Sequence, residues 1–238
     1  MIIFLHGPDT YRARQKLQEI VEHYTKTKKS GLSLRYYDAA LDSFSQFFND
    51  FRQEAIFGEK KLVVLKNVFQ NKDFKEEFSE KFKGLIKTDN IILVFEPSKV
   101  LKSDSLFKKL IKAAKTQEFD FLQGVPLRNW AKKEFQRCGA KIGIQSLEKL
   151  IEYVGSDSWR LFNEIKKLSA WRGKKFEVTT QDVELLVSAK IETDIFKTID
   201  AIALKNKKQA LFLLRKHLAK GDAPLYLLSM INYQFRNL

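Results

Sequence analysis

The chain has 238 residues, 44% of them apolar and 20 of them Phe, with 43 Lys and Arg against 29 Asp and Glu, a net charge of +14. This is ample apolar content for a packed core, which excludes global disorder, and no run of about 18 apolar residues exists to make a transmembrane helix. The single cysteine, Cys138, excludes an intramolecular disulfide and suits the cytoplasm; with only His6, His23 and His217 beside it, no zinc-site spacing arises.

The length fits one large domain or two smaller ones. The opening MIIFLHGPD is apolar but too short for a signal sequence and lacks a basic start. Ile2 to Leu5 reads as a short buried strand, and Leu17, Ile20, Val21 and Tyr24 follow at helical spacing. A strand is expected near Leu34 to Tyr37, then a helix carrying Phe44, Phe47, Phe48 and Phe51 that buries its aromatic face and ends near Glu54. Leu62 to Leu65 reads as the third strand, and Phe74, Phe78, Phe82 and Leu85 stripe the next helix. Ile91 to Phe95 is the fourth strand, Leu106 to Ala114 a helix, and Glu118 to Leu122 the fifth strand. Continuous apolar strands alternating with helices predict an α/β fold with a parallel five-stranded sheet over residues 1–124, covered on both faces.

After Gly124 the strand signal fades. Pro126 suits the first turn of a helix running to about Arg137. Leu147, Leu150, Ile151 and Val154 form a stripe ended by Gly155; Leu161, Phe162, Ile165 and Leu168 form the next. Thr179 with Asp182 three residues on resembles a capping box. Residues 125–190 thus read as a small helical domain. From 191 to 238 the stripes are Phe196, Ile199 and Ile202, then Leu211, Leu214 and Leu218, then Leu228, Ile231, Phe235 and Leu238, as in a helical domain that starts and does not finish.

Residues 121–180 hold 12 basic and 6 acidic side chains, so the positive field is strongest in the middle of the chain. It suits work near nucleic acid or an acidic protein, and a solvated lysine-rich surface explains it equally well.

A strand followed by Gly at the mouth of a helix is where nucleotide-binding α/β proteins place their phosphate loop, G-x-x-x-x-G-K-[ST]. Here Gly7 is present, but Arg12 stands at the second glycine, Ala13 at the lysine and Arg14 at the hydroxyl residue. The third strand, whose end should help hold a metal, ends in Lys66-Asn67. Both failures point to an NTPase-like frame without NTPase chemistry, no bound cofactor or metal and no catalytic residue. No G-x-S-x-G, H-E-x-x-H or C-x-x-C occurs.

The order of motifs resembles the delta subunit of the bacterial DNA polymerase III clamp loader. The resemblance runs through HGPDTYRARQKL, AIFGEKKLVVLKN, NIILVFE, Trp130, NEIKKL (Asn163 to Leu168), DIFKTIDAI (Asp194 to Ile202) and GDAPLYLLSMINYQFRNL. It implies an AAA+-like domain without ATP binding, a helical lid domain and a helical collar domain, incomplete here because the family continues with more collar helices. It implies a non-catalytic role in replication: binding the ring-shaped sliding clamp (beta) and helping it open. Further partners would be ATP-binding gamma/tau-type subunits and delta-prime through the collar, and primer-template DNA in the assembly, with no membrane. Polymerase activity would belong to the assembled holoenzyme.

The resemblance also assigns a role to Ile56 and Phe57, which stand on a connection that composition alone would make polar. They match the family's apolar dipeptide that enters a hydrophobic pocket of the clamp, with Ala55 and Gly58 flanking it. From the residues alone the pair would be core. Two other readings remain open at this point. A nucleotide-dependent motor with an unusual phosphate loop predicts nucleotide binding. A basic DNA- or RNA-binding protein predicts strong, salt-sensitive duplex binding by the chain alone.

Overall fold

The computed structural model describes residues 1–27, 33–53, 60–173, 176–188, 191–219 and 221–236. The chain divides into two units, Met1–Phe121 and Leu122–Leu238.

The first unit is an α/β domain around a parallel sheet of β1 (Ile2–His6), β2 (Leu34–Asp38), β3 (Leu62–Lys66), β4 (Ile91–Glu96) and β5 (Lys115–Glu118). The strand order is β2-β3-β4-β1-β5 and every pairing is parallel. The central strands β3, β4 and β1 are buried on both faces, which is why they read as unbroken apolar runs. One face packs on α2 (Phe44–Arg52), α3 (Lys72–Ile86) and α4 (Ser105–Ala113), where Phe44, Phe47, Phe74, Phe78 and Phe107 interlock. Phe44 meets Phe74 edge-on at 5.4 Å between ring centroids, the geometry favoured by the ring quadrupole. The other face packs on α1 (Thr10–Thr27) through Ala13, Val21 and Tyr24.

The fifth strand lies earlier than the apolar run Glu118 to Leu122 suggested. Its sequence, KTQE, is polar because β5 is an edge strand that, among the described residues, pairs only with β1, with Ile3 in register with Lys115. Phe119, just beyond, is buried and Phe121 is exposed.

The second unit opens with α5 (Gly124–Arg137), α6 (Ile144–Val154), α7 (Ser158–Arg172) and α8 (Thr180–Leu186) around one apolar cluster that includes Leu127, Phe135, Leu150, Leu161 and Ile165. A pair of two-residue parallel strands, β6 (Lys141–Ile142) and β7 (Glu177–Val178), joins this group. The capping box is present: Asp182 N–H donates to Thr179 Oγ1 at 3.3 Å and Thr179 N–H donates to Asp182 Oδ2 at 2.8 Å. Arg172 Nε also donates to Asp182 Oδ2, at 2.5 Å, and this bond is the main cause holding the carboxyl down to about 2.

The last helices are α9 (Ile191–Ala203), α10 (Lys207–Ala219) and α11 (Pro224–Arg236). They have small apolar clusters of their own: Ile195, Ile199 and Leu227 in one, Ala201, Ala210 and Leu213 in the other. The inward faces match the expected stripes only in part. Ile199 is buried and Ile202 and Ile231 pack on these clusters, but Phe196, Leu211, Leu218, Leu228 and Phe235 are exposed, and α10 turns Ala210, Leu213 and His217 inward. His217 is accommodated because its Nδ1 lies 2.7 Å from Asp222 Oδ2, giving a buried polar atom the partner it requires. With Leu or Phe on nearly every side of LFLLRKHL, periodicity could not single out that face.

Candidate functional site

Two places at the ends of interior strands carry the residues singled out from the sequence. The first is the turn after β1. Gly7 has φ +130°, and a Cβ there would lie 2.4 Å from the Phe119 carbonyl oxygen, so only glycine fits this close approach. The turn is stitched to the chain after β5: Phe119 N–H donates to His6 O at 2.8 Å and Asp9 N–H to Phe119 O at 2.9 Å. A phosphate loop needs open amides at the helix N-terminus. Here the buried Asp9 carboxylate already occupies that end, accepting from Arg12 N–H at 3.2 Å. Its charge is matched to the positive end of the helix and opposes a second anion.

Arg12 completes the closure. Its guanidinium donates to Asp9 Oδ2 at 3.3 Å and to the Asp120 carbonyl at 3.0 Å, and lies over the Phe119 ring at 5.7 Å. Ala13 is fully buried and Arg14 is exposed. Of the four residues at the degenerate loop, therefore, Gly7, Arg12 and Ala13 serve the fold and Arg14 faces solvent. An acidic residue does stand at a strand end here, but on β4: the buried Glu96, in register with His6. It accepts from Phe69 N–H at 3.2 Å and Ser98 Oγ at 2.8 Å, and burial raises its carboxyl above the ordinary range. Among the described residues no group of His, Cys, Asp and Glu is arranged to hold a metal ion.

The second place is the connection between α2 and β3. Ala55, Ile56, Phe57 and Gly58 lie outside the described residues; the two ends that carry them lie within. Ser43 caps α2, its side chain accepting from Gln46 N–H at 3.2 Å. Phe44, Phe47 and Phe51 sink one face of the helix into the core, and Tyr37 Oη donates to Asp50 Oδ2 at 2.5 Å. Burial first, then this carboxylate, push the Tyr37 hydroxyl far up.

Lys61 then clips the helix end to the strand. Its Nζ donates to the Asp50 carbonyl at 2.7 Å and the Gln53 carbonyl at 2.6 Å, satisfying two carbonyls that a helix end leaves open. Burial lowers the Lys61 amine. Its own backbone N–H donates to Asn90 Oδ1 at 3.0 Å, and Tyr24 Oη donates to the Lys60 carbonyl at 2.6 Å. Nothing in GEKKL marks Lys61 rather than Lys60 as the clip. The distinction follows from geometry, since Lys60 points to the exposed Asp89 at 3.6 Å, a pair of small worth. Beside this base, Phe48, Arg52, Lys81, Gly84 and Thr88 line a cavity of about 330 Å³.

Comparison with known proteins agrees with this architecture. Residues 4–120 match the family model described as DNA polymerase III, delta subunit. The DNA polymerase III subunit delta of Bacillus subtilis is 25% identical over 242 residues, covering 98% of this chain and 70% of that protein. The solved Bacillus subtilis DNA clamp loader delta protein superposes with a TM-score of 0.67 at 23% identity, over 99% of this chain and 72% of that one. The Thermotoga maritima RuvB Holliday junction branch migration motor gives a TM-score of 0.52 at 14% identity over 84% of this chain, a likeness of fold alone. Sheet order, the glycine turn after β1 and the match of residues 4–120 agree: the chain is similar to the delta subunit of DNA polymerase III over nearly its whole length.

Proposed function

We propose that this chain binds a sliding clamp through Ile56 and Phe57 and helps the ring open, with no ATP chemistry of its own. The observation that carries the proposal is the base of the connection. Lys61 bonds to both Asp50 and Gln53, so the residues between Gln53 and Lys60 spring from two fixed ends. Fixed ends reduce the ordering entropy that docking must overcome. An aromatic and a β-branched side chain buried in an apolar pocket contribute roughly 3–6 kcal/mol before association costs. That is enough for the pair to act as a hot spot. Binding the opened ring better than the closed one then shifts the ring toward opening, and only that difference in affinity matters.

The closed turn at Gly7, with Asp9 at the helix end and Ala13 in place of a lysine, supports the absence of nucleotide binding. The separate apolar clusters support a lid domain over 125–190 and a collar domain over 191–238. The collar would meet the ATP-binding subunits and delta-prime of a cytoplasmic clamp loader, with primer-template DNA held by the assembly. The test is retention of the cognate clamp by the immobilised chain, run beside an ATP titration. Clamp retention without ATP binding is expected. Micromolar ATP affinity, or no retention of the clamp, would overturn the reading.

A further inference from the structure

The sheet has two edges, and they are built differently. β5 is blunted as exposed edges usually are, with Lys115 and Glu118 at its ends and no apolar side chain between them. β2, at the opposite edge, reads LRYYD and carries neither lysine nor proline. Its Arg35 is exposed and its Tyr36 is 51% exposed, so solvent reaches the strand.

The backbone of β2 is only half used. The Ser33 carbonyl accepts from Leu62 N–H at 3.0 Å, and Ala39 N–H donates to the Lys66 carbonyl at 2.9 Å. Bonded residues alternate along such a ladder. With Leu34 in register with Leu62, Arg35 and Tyr37 therefore bond to β3. The N–H and C=O groups of Leu34 and Tyr36 point outward, and no described residue meets them. The next outward residue is closed off. Asp38 N–H donates to Asp42 Oδ2 at 2.7 Å, and its carbonyl accepts from Leu41 N–H at 2.8 Å and Asp42 N–H at 2.7 Å. Two cations flank the open stretch, one on each face. Arg35 shares its face with Tyr37, by strand alternation, and Lys66 Nζ lies 5.7 Å over the Tyr36 ring on the other. Neither cation forms an ion pair with a described residue.

We infer that the β2 edge accepts an extended acidic peptide segment of another protein as an added strand, paired with the backbone of Leu34 and Tyr36. A row of alternating donors and acceptors is matched by a second extended backbone, not by a helix or a nucleic acid. Side chains of the added strand alternate between the same two faces, so carboxylates at neighbouring positions would meet Arg35 and Lys66. Pairing of two β2 edges would set these cations against like charges, which disfavours a second copy as the occupant. The site uses neither Ile56 nor Phe57 and does not depend on clamp binding.

The experiment uses the full chain and a labelled peptide, Thr-Val-Glu-Glu-Val-Thr, of about the usual strand length. Affinity is read by anisotropy and amide exchange residue by residue by nuclear magnetic resonance. Micromolar binding that weakens as salt rises is expected. Exchange should slow at Leu34 and Tyr36 and stay unchanged at Arg35 and Tyr37, whose amides already bond to β3. Tyr36→Pro deletes an outward N–H without touching the β3 ladder and should weaken binding at least tenfold; Tyr36→Ala keeps that N–H and should weaken it less. Arg35→Glu should lose affinity for this peptide and gain it for the version with lysine in place of glutamate. No binding at low salt, or unchanged exchange at Leu34 and Tyr36, would overturn the inference. So would equal binding of a peptide methylated on its backbone nitrogens, a comparison that does not depend on how the variants fold. Concentration-dependent protection of the same two amides without peptide would also overturn it, by giving the edge to a second copy.

Discussion

The sheet domain and the last three helices handle apolar residues in opposite ways. In the first, large side chains and buried positions coincide: Phe4, Phe47, Phe74 and Phe78 are fully enclosed, and helices cover both faces of the sheet. In the second, the enclosed positions of α10 are Ala210, Leu213 and His217, while Phe212 and Leu228 are both 62% exposed. A sheet covered on two sides closes its own core, whereas three helices bury little more than the line along which they meet. Stability should therefore be concentrated in residues 1–121, and substitutions of the same chemical kind should differ sharply between the two regions.

The largest expected contrast comes from one substitution made twice. Phe47→Ala leaves a cavity between α2, α3 and the sheet and should cost about 3–5 kcal/mol, a loss read as an early unfolding transition. Phe212→Ala removes an exposed ring and should change stability by less than about 0.5 kcal/mol. Equal losses at the two sites would break the comparison, because they would mean that α10 is covered in solution.

A smaller effect is expected at the Thr179–Asp182 capping box of α8. Asp182→Ala leaves the Thr179 side-chain cap in place but removes the acceptor for Thr179 N–H and the Arg172 partner, and should cost about 1 kcal/mol at neutral pH. Because the folded carboxyl is depressed, to about 2 from 3.8, its contribution is present above pH 3.8 and is lost as pH falls through about 2. The difference between the variant and the parent should accordingly vanish in strong acid, as followed by helical circular dichroism. A constant difference down to that pH would show that the bond to Arg172 is not the source of the effect.

The smallest effect concerns Glu96 in the sheet domain. Burial raises its folded carboxyl above 4.5, so its favourable contribution is complete below pH 4.5 and is lost as pH rises through the folded value. Glu96→Gln keeps an acceptor for Phe69 N–H and removes the buried charge. Its melting temperature relative to the parent should rise as pH increases from 4 to 7, by a few degrees at most. A fall over the same interval would indicate that the ionised carboxylate is stabilising where it sits.

The legibility of the sequence follows the same regional contrast. The five-stranded sheet was readable because β1, β3 and β4 are buried on both faces and so are uniformly apolar. β5 falls outside the apolar run because an edge strand need not be apolar, and Phe119, Phe121 and Leu122 follow beyond it. The two-residue strands β6 and β7 leave no periodic signal. Faces of α10 and α11 were misread because leucine and phenylalanine surround those helices, and the true inward face of α10 contains a histidine paired with Asp222. At the candidate sites, the departure from the phosphate-loop pattern is legible in Arg12 and Ala13. The contacts around it are not: Arg12 reaching the Asp120 carbonyl joins residues distant in sequence, and at the other site Lys61 reaches the Asp50 and Gln53 carbonyls.

The account rests most heavily on Ile56 and Phe57 serving a partner rather than the core. The direct measurement is clamp affinity and thermal stability of Ile56→Ala/Phe57→Ala beside the parent chain. The account predicts an unchanged melting temperature and clamp binding weakened by at least tenfold, about 1.4 kcal/mol. An unfolded variant whose remaining folded fraction binds the clamp normally would contradict it and return both side chains to the core.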